Sequence, residues 1–179
     1  MSQGGRRGRW RTPAVCALLV ATVVCVVPPA GTGATLPNPG LLVPGQSLGG
    51  VRLGMTGAQV RAQWGTAYGR CRSCARERWY FNYRPFTPQG AAVAFARGRV
   101  THVFTVWQPL GWRSTKGVVL GELEGEVERL HGELERVSCG RYAARLLPGR
   151  RARTAFYVYD GVVWGFGLMR RAASPCLPS

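Results

Sequence analysis

The stretch GVRLGMTGAQVRAQWG, from Gly50 to Gly65, carries most of the information about the fold, because a later stretch of the chain copies it. The later stretch, GVVLGELEGEVERLHG, runs from Gly117 to Gly132, and six of its residues are identical at an offset of 67. One structural unit used twice constrains an architecture more strongly than local propensities do. The sequence therefore predicts two related units in tandem.

A short helix is predicted at the start of each copy. In the first copy Thr56 suits the N-cap position and Gln59 the third helical position, a combination known as a capping box. Val60 and Trp64 lie four residues apart on one face, and Gly65 ends the helix. This face must pack against other elements, because two helical turns are not stable alone.

Three strand-like runs are predicted after each helix, with tight turns at Arg97-Gly98 and Asp160-Gly161. The runs are Trp79 to Tyr83, Ala91 to Phe95, Val100 to Trp107, Tyr142 to Leu147, Ala155 to Tyr159 and Val162 to Met169. The predicted fold class is therefore α+β, with tandem αβββ repeats whose helices pack on one face of an antiparallel sheet. The repeats would occupy residues 50–112 and 113–179.

The first 34 residues are typical of a secretory signal peptide. Four arginines and no acid precede the apolar run from Ala14 to Val27, and small residues follow up to Ala34. The run is short for a membrane span, which needs about 20 apolar residues; an uncleaved anchor is the alternative. The sequence predicts a secreted protein with a signal peptide over 1–34 and an extended lead-in over 35–49.

The chain is strongly basic, with 24 Lys and Arg residues against 8 Asp and Glu, and a formal net charge of +16. Such a charge attracts polyanions and acidic protein surfaces. Outside a cell we expect nonspecific contact with anionic cell-wall polymers or lipids. The arginines are scattered and accompany no recognised nucleic-acid-binding module, which argues against specific nucleic-acid binding.

Four cysteines follow the leader: Cys71, Cys74, Cys139 and Cys176. An even number in an exported protein predicts two disulfides, for which three connectivities are open. Locality favours Cys71–Cys74 and Cys139–Cys176. A redox Cys-x-x-Cys motif usually opens a helix, whereas this one leads into a strand, and the second pair lacks the close spacing typical of zinc sites. We therefore predict structural disulfides, with no metal and no cofactor.

Alternation along the strands predicts which side chains face the helices. Those predicted to face the helices are Trp79, Phe81, Tyr83, Phe104, Val106, Trp164, Phe166 and Leu168. The opposite face would be open and rich in Tyr, Trp and Arg, the residue types enriched among binding hot spots. Candidate partner-binding residues there are Arg78, Tyr80, Asn82, Arg84, Trp107, Tyr157 and Tyr159. An ordinary solvated sheet face is the alternative.

Two family resemblances accompany these patterns. Leu53-Gly54-Met55-Thr56, with Val60 and Gly65, resembles the helix start of the BamE/SmpA/OmlA group of envelope lipoproteins, although the lipid-anchor cysteine is missing from this sequence. The tandem αβββ layout with two disulfides is similar to the secreted β-lactamase inhibitory proteins. These resemblances imply a noncatalytic protein-binding scaffold and name no target.

The function predicted from the sequence is noncatalytic binding of an extracellular or envelope protein through the open sheet face. Only His102 and His131 could act as bases near neutral pH, and no serine or cysteine motif accompanies them. We therefore predict no catalytic residue, and a secreted enzyme is the least favoured class. A carrier of a small ligand or lipid is the alternative that the sequence leaves open.

Overall fold

The structure is a computed structural model that describes Met1 and residues 36–37, 39–81, 90–107 and 111–177. The described residues from 36 to 177 fold as one unit. Strands hold 44% of the described residues and helices hold 12%, so this unit is mostly β. Apart from Met1, the predicted signal peptide lies outside the described residues.

Two helices and eleven strands follow one another along the described parts of the chain. In order, they are β1 (Leu41–Val43), β2 (Ser47–Leu48), α1 (Gly57–Trp64), β3 (Gly69–Arg70), β4 (Arg78–Phe81), β5 (Gly90–Ala96), β6 (Arg99–Val106), β7 (Arg113–Ser114), α2 (Glu124–His131), β8 (Glu135–Ser138), β9 (Ala143–Leu147), β10 (Ala152–Tyr159) and β11 (Val162–Arg170).

Eight of these strands form one antiparallel sheet in the order β3-β4-β5-β6-β11-β10-β9-β8. Strands β6 and β11 meet at its centre, where Phe104 pairs with Gly167. The β5–β6 and β10–β11 hairpins turn at Arg97 and Asp160, whose φ angles of 50° and 49° are the positive values that such tight turns require. A separate three-stranded sheet has the order β2-β1-β7.

The predicted fold class, α+β with tandem αβββ repeats, is wrong. The chain is mostly β, and four strands of the large sheet follow each helix instead of three. The additional strands, β3 and β8, lie at the two edges of the sheet and are largely exposed, so they carry no apolar alternation that the sequence could reveal. The lead-in also contributes β1 and β2 to the small sheet.

Helix α1 begins as the sequence predicts. The Oγ1 atom of Thr56 accepts a hydrogen bond from the Gln59 backbone N–H at 3.3 Å, and Gln59 Oε1 accepts one from the Thr56 backbone N–H at 2.8 Å. The helix ends at Gly65, whose φ of 79° favours glycine. Its buried residues are Val60 and Trp64. The predicted capping box is therefore confirmed.

Helix α2 begins at Glu124, and its N-cap residue Leu123 makes no side-chain capping hydrogen bond. Ion pairs to the sheet hold this helix instead: the Arg145 guanidinium on β9 lies 2.6 Å from a Glu124 carboxylate oxygen and 2.5 Å from one of Glu128. Arg145 also donates to the carbonyl oxygen of Leu134 at 3.2 Å. Charged contacts thus replace the capping box of α1.

The main hydrophobic core lies between the helices and one face of the large sheet. Trp64 lies in this core: its ring makes edge contacts with Phe81 and Trp112 at centroid distances of 5.2 and 5.9 Å, and its indole N–H donates to the Gly49 carbonyl oxygen at 2.7 Å. The predicted helix-facing residues found in this core are Trp79, Phe81, Phe166 and Leu168. Those four predictions are confirmed, and Tyr83 lies outside the described residues.

Two β-bulges change the predicted alternation. In the β5–β6 hairpin, Ala94 pairs with His102 and Phe95 with Val100, which leaves Thr101 as an extra residue. An extra residue moves the side chains beyond it to the other face of the sheet. Phe104 and Val106 therefore lie on the face away from the helices, and their predicted place in the helix-side core is wrong.

The second bulge lies in the β10–β11 hairpin. Tyr157 pairs with Gly165 and Val158 with Val163, so Trp164 is the extra residue of β11. Its side chain packs on the face away from the helices, although simple alternation places it with Phe166. The predicted inward position of Trp164 is wrong for the same physical reason.

Candidate functional site

The face of the large sheet opposite the helices, which we call the second face, is not open. It carries its own hydrophobic cluster, which includes Phe104, Leu146, Tyr157 and Met169. Residues 172–177, which we call the strap, cross this face, and Ala173 and Leu177 pack against the cluster. The prediction of an open sheet face is therefore wrong over much of its area, and so is the alternative of an ordinary solvated face.

A disulfide and two hydrogen bonds hold the strap in place. The Cys139–Cys176 disulfide joins it to the end of β8, with Cα atoms 5.5 Å apart. The Leu177 backbone N–H donates to the Tyr142 hydroxyl at 2.6 Å, and Arg153 donates to the Ala173 carbonyl oxygen. The strap is therefore anchored by both backbone and side-chain contacts.

The disulfides follow the connectivity that locality favours. The structure contains Cys71–Cys74 and Cys139–Cys176, with sulfur–sulfur distances of 2.02 and 2.00 Å. The first joins cysteines three positions apart in the segment between β3 and β4, and the second ties the strap to the sheet. The prediction of two disulfides is confirmed.

Tyr157 is a predicted partner-binding residue that the structure buries completely, at 0% exposure. Its ring lies over β11, where a Cβ on Gly167 would come within 2.9 Å of the ring carbons. A Cβ on Gly165 would also approach the ring, at 3.2 Å. The two glycines therefore create a slot for the ring, and the predicted exposure of Tyr157 is wrong.

His102 lies beside Tyr157 in the same buried layer, with its Nε2 atom 3.1 Å from the Tyr157 hydroxyl oxygen. Burial lowers the pKa of His102 to about 3, and the nearby Arg78 guanidinium contributes to the shift. Burial also raises the pKa of Tyr157, and the neighbouring Tyr142 adds to the shift. Both side chains are therefore neutral at pH 7 and form a neutral hydrogen bond.

We expect His102 to destabilise the protein in acid. Its folded pKa of about 3 lies below the unfolded value of 6.5, so the unfolded chain takes up the proton first. The stability is fully present above pH 6.5 and is lost as the pH falls towards 3. At pH 4 the expected loss is roughly 3 kcal/mol.

Urea unfolding at pH 7 and pH 4 tests this prediction when the wild type is compared with His102→Gln, which keeps a polar side chain that cannot titrate. The acid-induced loss should be smaller in His102→Gln by most of that amount. His131→Gln is the matched control, because His131 is less deeply buried although burial also lowers its pKa. An equal acid loss in His102→Gln and wild type would contradict the prediction.

Two further predicted residues, Arg78 and Tyr80, are close neighbours on β4. Arg78 is only 5% exposed, and its guanidinium donates to the Tyr80 hydroxyl at 2.9 Å. Tyr80 is half-buried and makes an edge contact with Phe104 at 6.4 Å. The predicted exposure of Arg78 on an open face is therefore wrong, because the second face is packed around it. Asn82 and Arg84 lie outside the described residues.

Trp107 and Tyr159 are the predicted partner-binding residues that the structure leaves accessible, at 43% and 41% exposure. Their rings lie 6.2 Å apart, and each contacts the half-buried ring of Trp164, at 5.7 and 6.3 Å respectively. We call these three residues the aromatic cluster. Sequence reasoning missed Trp164, because only the bulge places its ring beside the other two.

Close packing fixes the geometry of the aromatic cluster. The Trp107 backbone N–H donates to the Trp164 carbonyl oxygen at 2.6 Å, with Trp107 at a φ of 58°. The Trp164 ring in turn contacts the rings of Tyr142 and Tyr157 at 5.4 and 6.5 Å. The exposed rings are thus supported by a buried aromatic layer.

The described residues 36–37, 39–81, 90–107 and 111–177 contain no cluster of three His, Cys, Asp or Glu side chains arranged to hold a metal ion. Over the same residues, neither α1 nor α2 has the length and apolar character needed to span a bilayer. His131 packs on the ring of Phe156 at 4.9 Å, in the helix-side core.

Comparisons with known proteins identify no family for this chain. No protein-family model and no curated protein matches it. One similar solved structure is an extracellular protein containing a SCP domain from Bacillus anthracis, with 13% identity and a TM-score of 0.49 over 66% of this chain and 44% of that one. Another is a DUF4309 family protein from Bacillus subtilis, with 8% identity and a TM-score of 0.40 over 65% of this chain and 78% of that one.

These likenesses are too weak to carry an argument about function. The aligned region spans less than half of the Bacillus anthracis protein. The resemblances to the BamE/SmpA/OmlA group and to the β-lactamase inhibitory proteins stay predictions.

Proposed function

We propose that this chain is a secreted, noncatalytic binding protein whose partner is an extracellular or envelope protein with an acidic surface. The partner docks on the aromatic cluster of Trp107, Tyr159 and Trp164. The observation that carries the proposal is the exposure of two large aromatic rings, at 43% and 41%, at the end of an otherwise covered sheet face.

The chemistry of the aromatic cluster favours protein binding. Trp and Tyr are enriched among interface residues that contribute most to affinity, because each buries a large apolar area and also carries a polar group. Trp107 and Tyr159 rest on Trp164, whose ring packs on Tyr142. Rings that are already held in place lose little conformational entropy on binding.

The charge of the chain supports an acidic partner. Four of the 24 basic residues lie in the predicted signal peptide, so 20 basic residues against 8 acidic ones follow it. This excess of positive charge attracts negatively charged surfaces and increases the rate at which such a partner is encountered. The two disulfides support an exported protein, because disulfides persist in oxidising compartments. Because salt screens the electrostatic attraction between the basic chain and an acidic partner, the affinity of the complex should fall as the salt concentration rises.

The partner is identified by capture from the protein's own culture fluid and then purified for measurement. We expect Trp107→Ala and Tyr159→Ala each to weaken its binding by about 30-fold, the effect of losing a hot-spot residue of about 2 kcal/mol. Both variants should keep a wild-type melting temperature, because surface substitutions change stability by about 0.5 kcal/mol or less.

Leu123→Ala provides the matched control, since Leu123 is an exposed apolar residue at the start of α2. This variant should bind the partner as the wild type does. The proposal would be wrong if both aromatic variants bound the partner normally, or if Leu123→Ala weakened binding as much as they do.

A further inference from the structure

A cleft of about 1000 Å³ opens between the strap and the ends of β4, β5 and β6. Its walls include Arg78 and His102, which lie on either side of Ala94 in the register of the sheet. Because the Ala94 side chain is only a methyl group, the space between the two longer side chains stays open and forms the floor of the cleft. The strap covers this floor with Ala173, Ser174 and Leu177. The volume is at the upper end of the range of small-ligand sites.

The charged groups that line this cleft are almost all cations. Four arginines contribute to the lining: Arg76, Arg78, Arg97 and Arg170. Within the described parts of the chain, the one acid of the lining is Glu77, and its carboxylate accepts a hydrogen bond at 2.8 Å from the indole N–H of Trp79, which belongs to the helix-side core. Among the described residues, Arg76, Arg97 and Arg170 have no carboxylate within salt-bridge distance.

We infer that this cleft binds a small-molecule oxyanion, a carboxylate or a phosphate, through the arginines of its mouth, Arg76, Arg97 and Arg170. A guanidinium presents parallel N–H groups that match the two oxygens of a carboxylate or phosphate. Arg78 is held at the base of the cleft by its hydrogen bond to Tyr80. Arg97 and Arg170 are exposed at its mouth, where they meet an entering anion.

His102 also lines the cleft, and because its imidazole is neutral it adds no second positive charge beside Arg78. Its Nε2 atom is engaged with the Tyr157 hydroxyl at 3.1 Å, and the imidazole is buried. A neutral imidazole beside the Arg78 guanidinium avoids the cost of burying a second cation. The oxyanion would be a second ligand in addition to the proposed protein partner, because the cleft and the aromatic cluster have no residue in common.

The test uses the purified protein with inorganic phosphate, with citrate, and with vesicles that contain phosphatidylglycerol, measured by titration calorimetry. We expect saturable binding of phosphate and citrate. Replacing Arg97 and Arg170 together by glutamine should weaken the binding of both anions by tenfold or more. The reason is that each hydrogen bond to a charged group contributes about 1.5 kcal/mol or more, which corresponds to about a tenfold change in affinity. A variant with Arg113→Gln and Arg52→Gln is the matched control, because it removes the same charge from exposed arginines outside the cleft.

Imidazole NMR signals give a second readout in the wild-type protein, because the chain contains only two histidines, His102 and His131. Phosphate should shift the His102 signal and leave the His131 signal, from the helix-side core, unchanged. Three outcomes would overturn the inference: no saturable binding of either free anion, binding to vesicles alone, or an equal loss in the control variant. The Trp107→Ala variant should bind phosphate normally, which separates this site from the proposed partner surface.

Discussion

Replacing Tyr157 by alanine is expected to lower the free energy of unfolding by about 3 to 5 kcal/mol, the usual effect of truncating a buried aromatic side chain. The ring is completely buried, and it fills the slot above Gly165 and Gly167. Alanine would leave this slot empty and remove the partner of His102. The loss would be a large share of the roughly 5 to 15 kcal/mol that stabilises a domain.

Tyr159→Ala is the matched control for this prediction, because Tyr159 has the same side chain two residues later on β10 and is 41% exposed. Its effect on urea unfolding should stay within about 0.5 kcal/mol. Tyr157→Phe should lie between the two, with a loss of about 1 kcal/mol from the missing hydrogen bond. Equal stabilities for Tyr157→Ala and Tyr159→Ala would show that Tyr157 is not buried as described.

The second large effect is expected from removing the Cys139–Cys176 disulfide. This bond joins cysteines 37 positions apart, and the entropy of closing such a loop in the unfolded chain corresponds to about 4 kcal/mol. A variant with both cysteines replaced by alanine should lose stability by that amount. It should also detach the strap and expose part of the second face to solvent.

The matched control removes Cys71 and Cys74, which are only three positions apart. The same relation gives about 2 kcal/mol for this shorter loop. Urea unfolding of the two double variants, each with the other disulfide intact, measures the difference. The expectation fails if removing Cys71–Cys74 destabilises the protein as much as removing Cys139–Cys176.

Part of the candidate site could be predicted from local patterns, and part could not. Alternation places Tyr80 on the face away from Trp79 and Phe81, and the structure agrees. The exposure of Trp107 and Tyr159 also follows from their places at the ends of strands. The arginines of the cleft come from β4 and the loop before it, from the β5–β6 turn and from the end of β11, so no single stretch of sequence carries a signal for them.

Glycine spacing is the one available signal for the burial of Tyr157. Gly165 and Gly167 alternate within a run that otherwise has the pattern of a strand, and glycine inside a strand often marks the close approach of another group. Simple alternation places both glycines on an open face, where they would have no packing role. In the structure they admit an aromatic ring from the neighbouring strand.

Local sequence was sufficient for the features that depend on neighbouring residues: the capping box at Thr56, the turns at Arg97-Gly98 and Asp160-Gly161, and the favoured cysteine pairs. Tertiary packing, by contrast, determines which residues are buried on the second face. The extra residues Thr101 and Trp164 move whole runs of side chains from one face to the other. Each bulge depends on how two strands pair, and the strap depends on contacts between residues far apart in the chain, so neither is encoded in a local pattern.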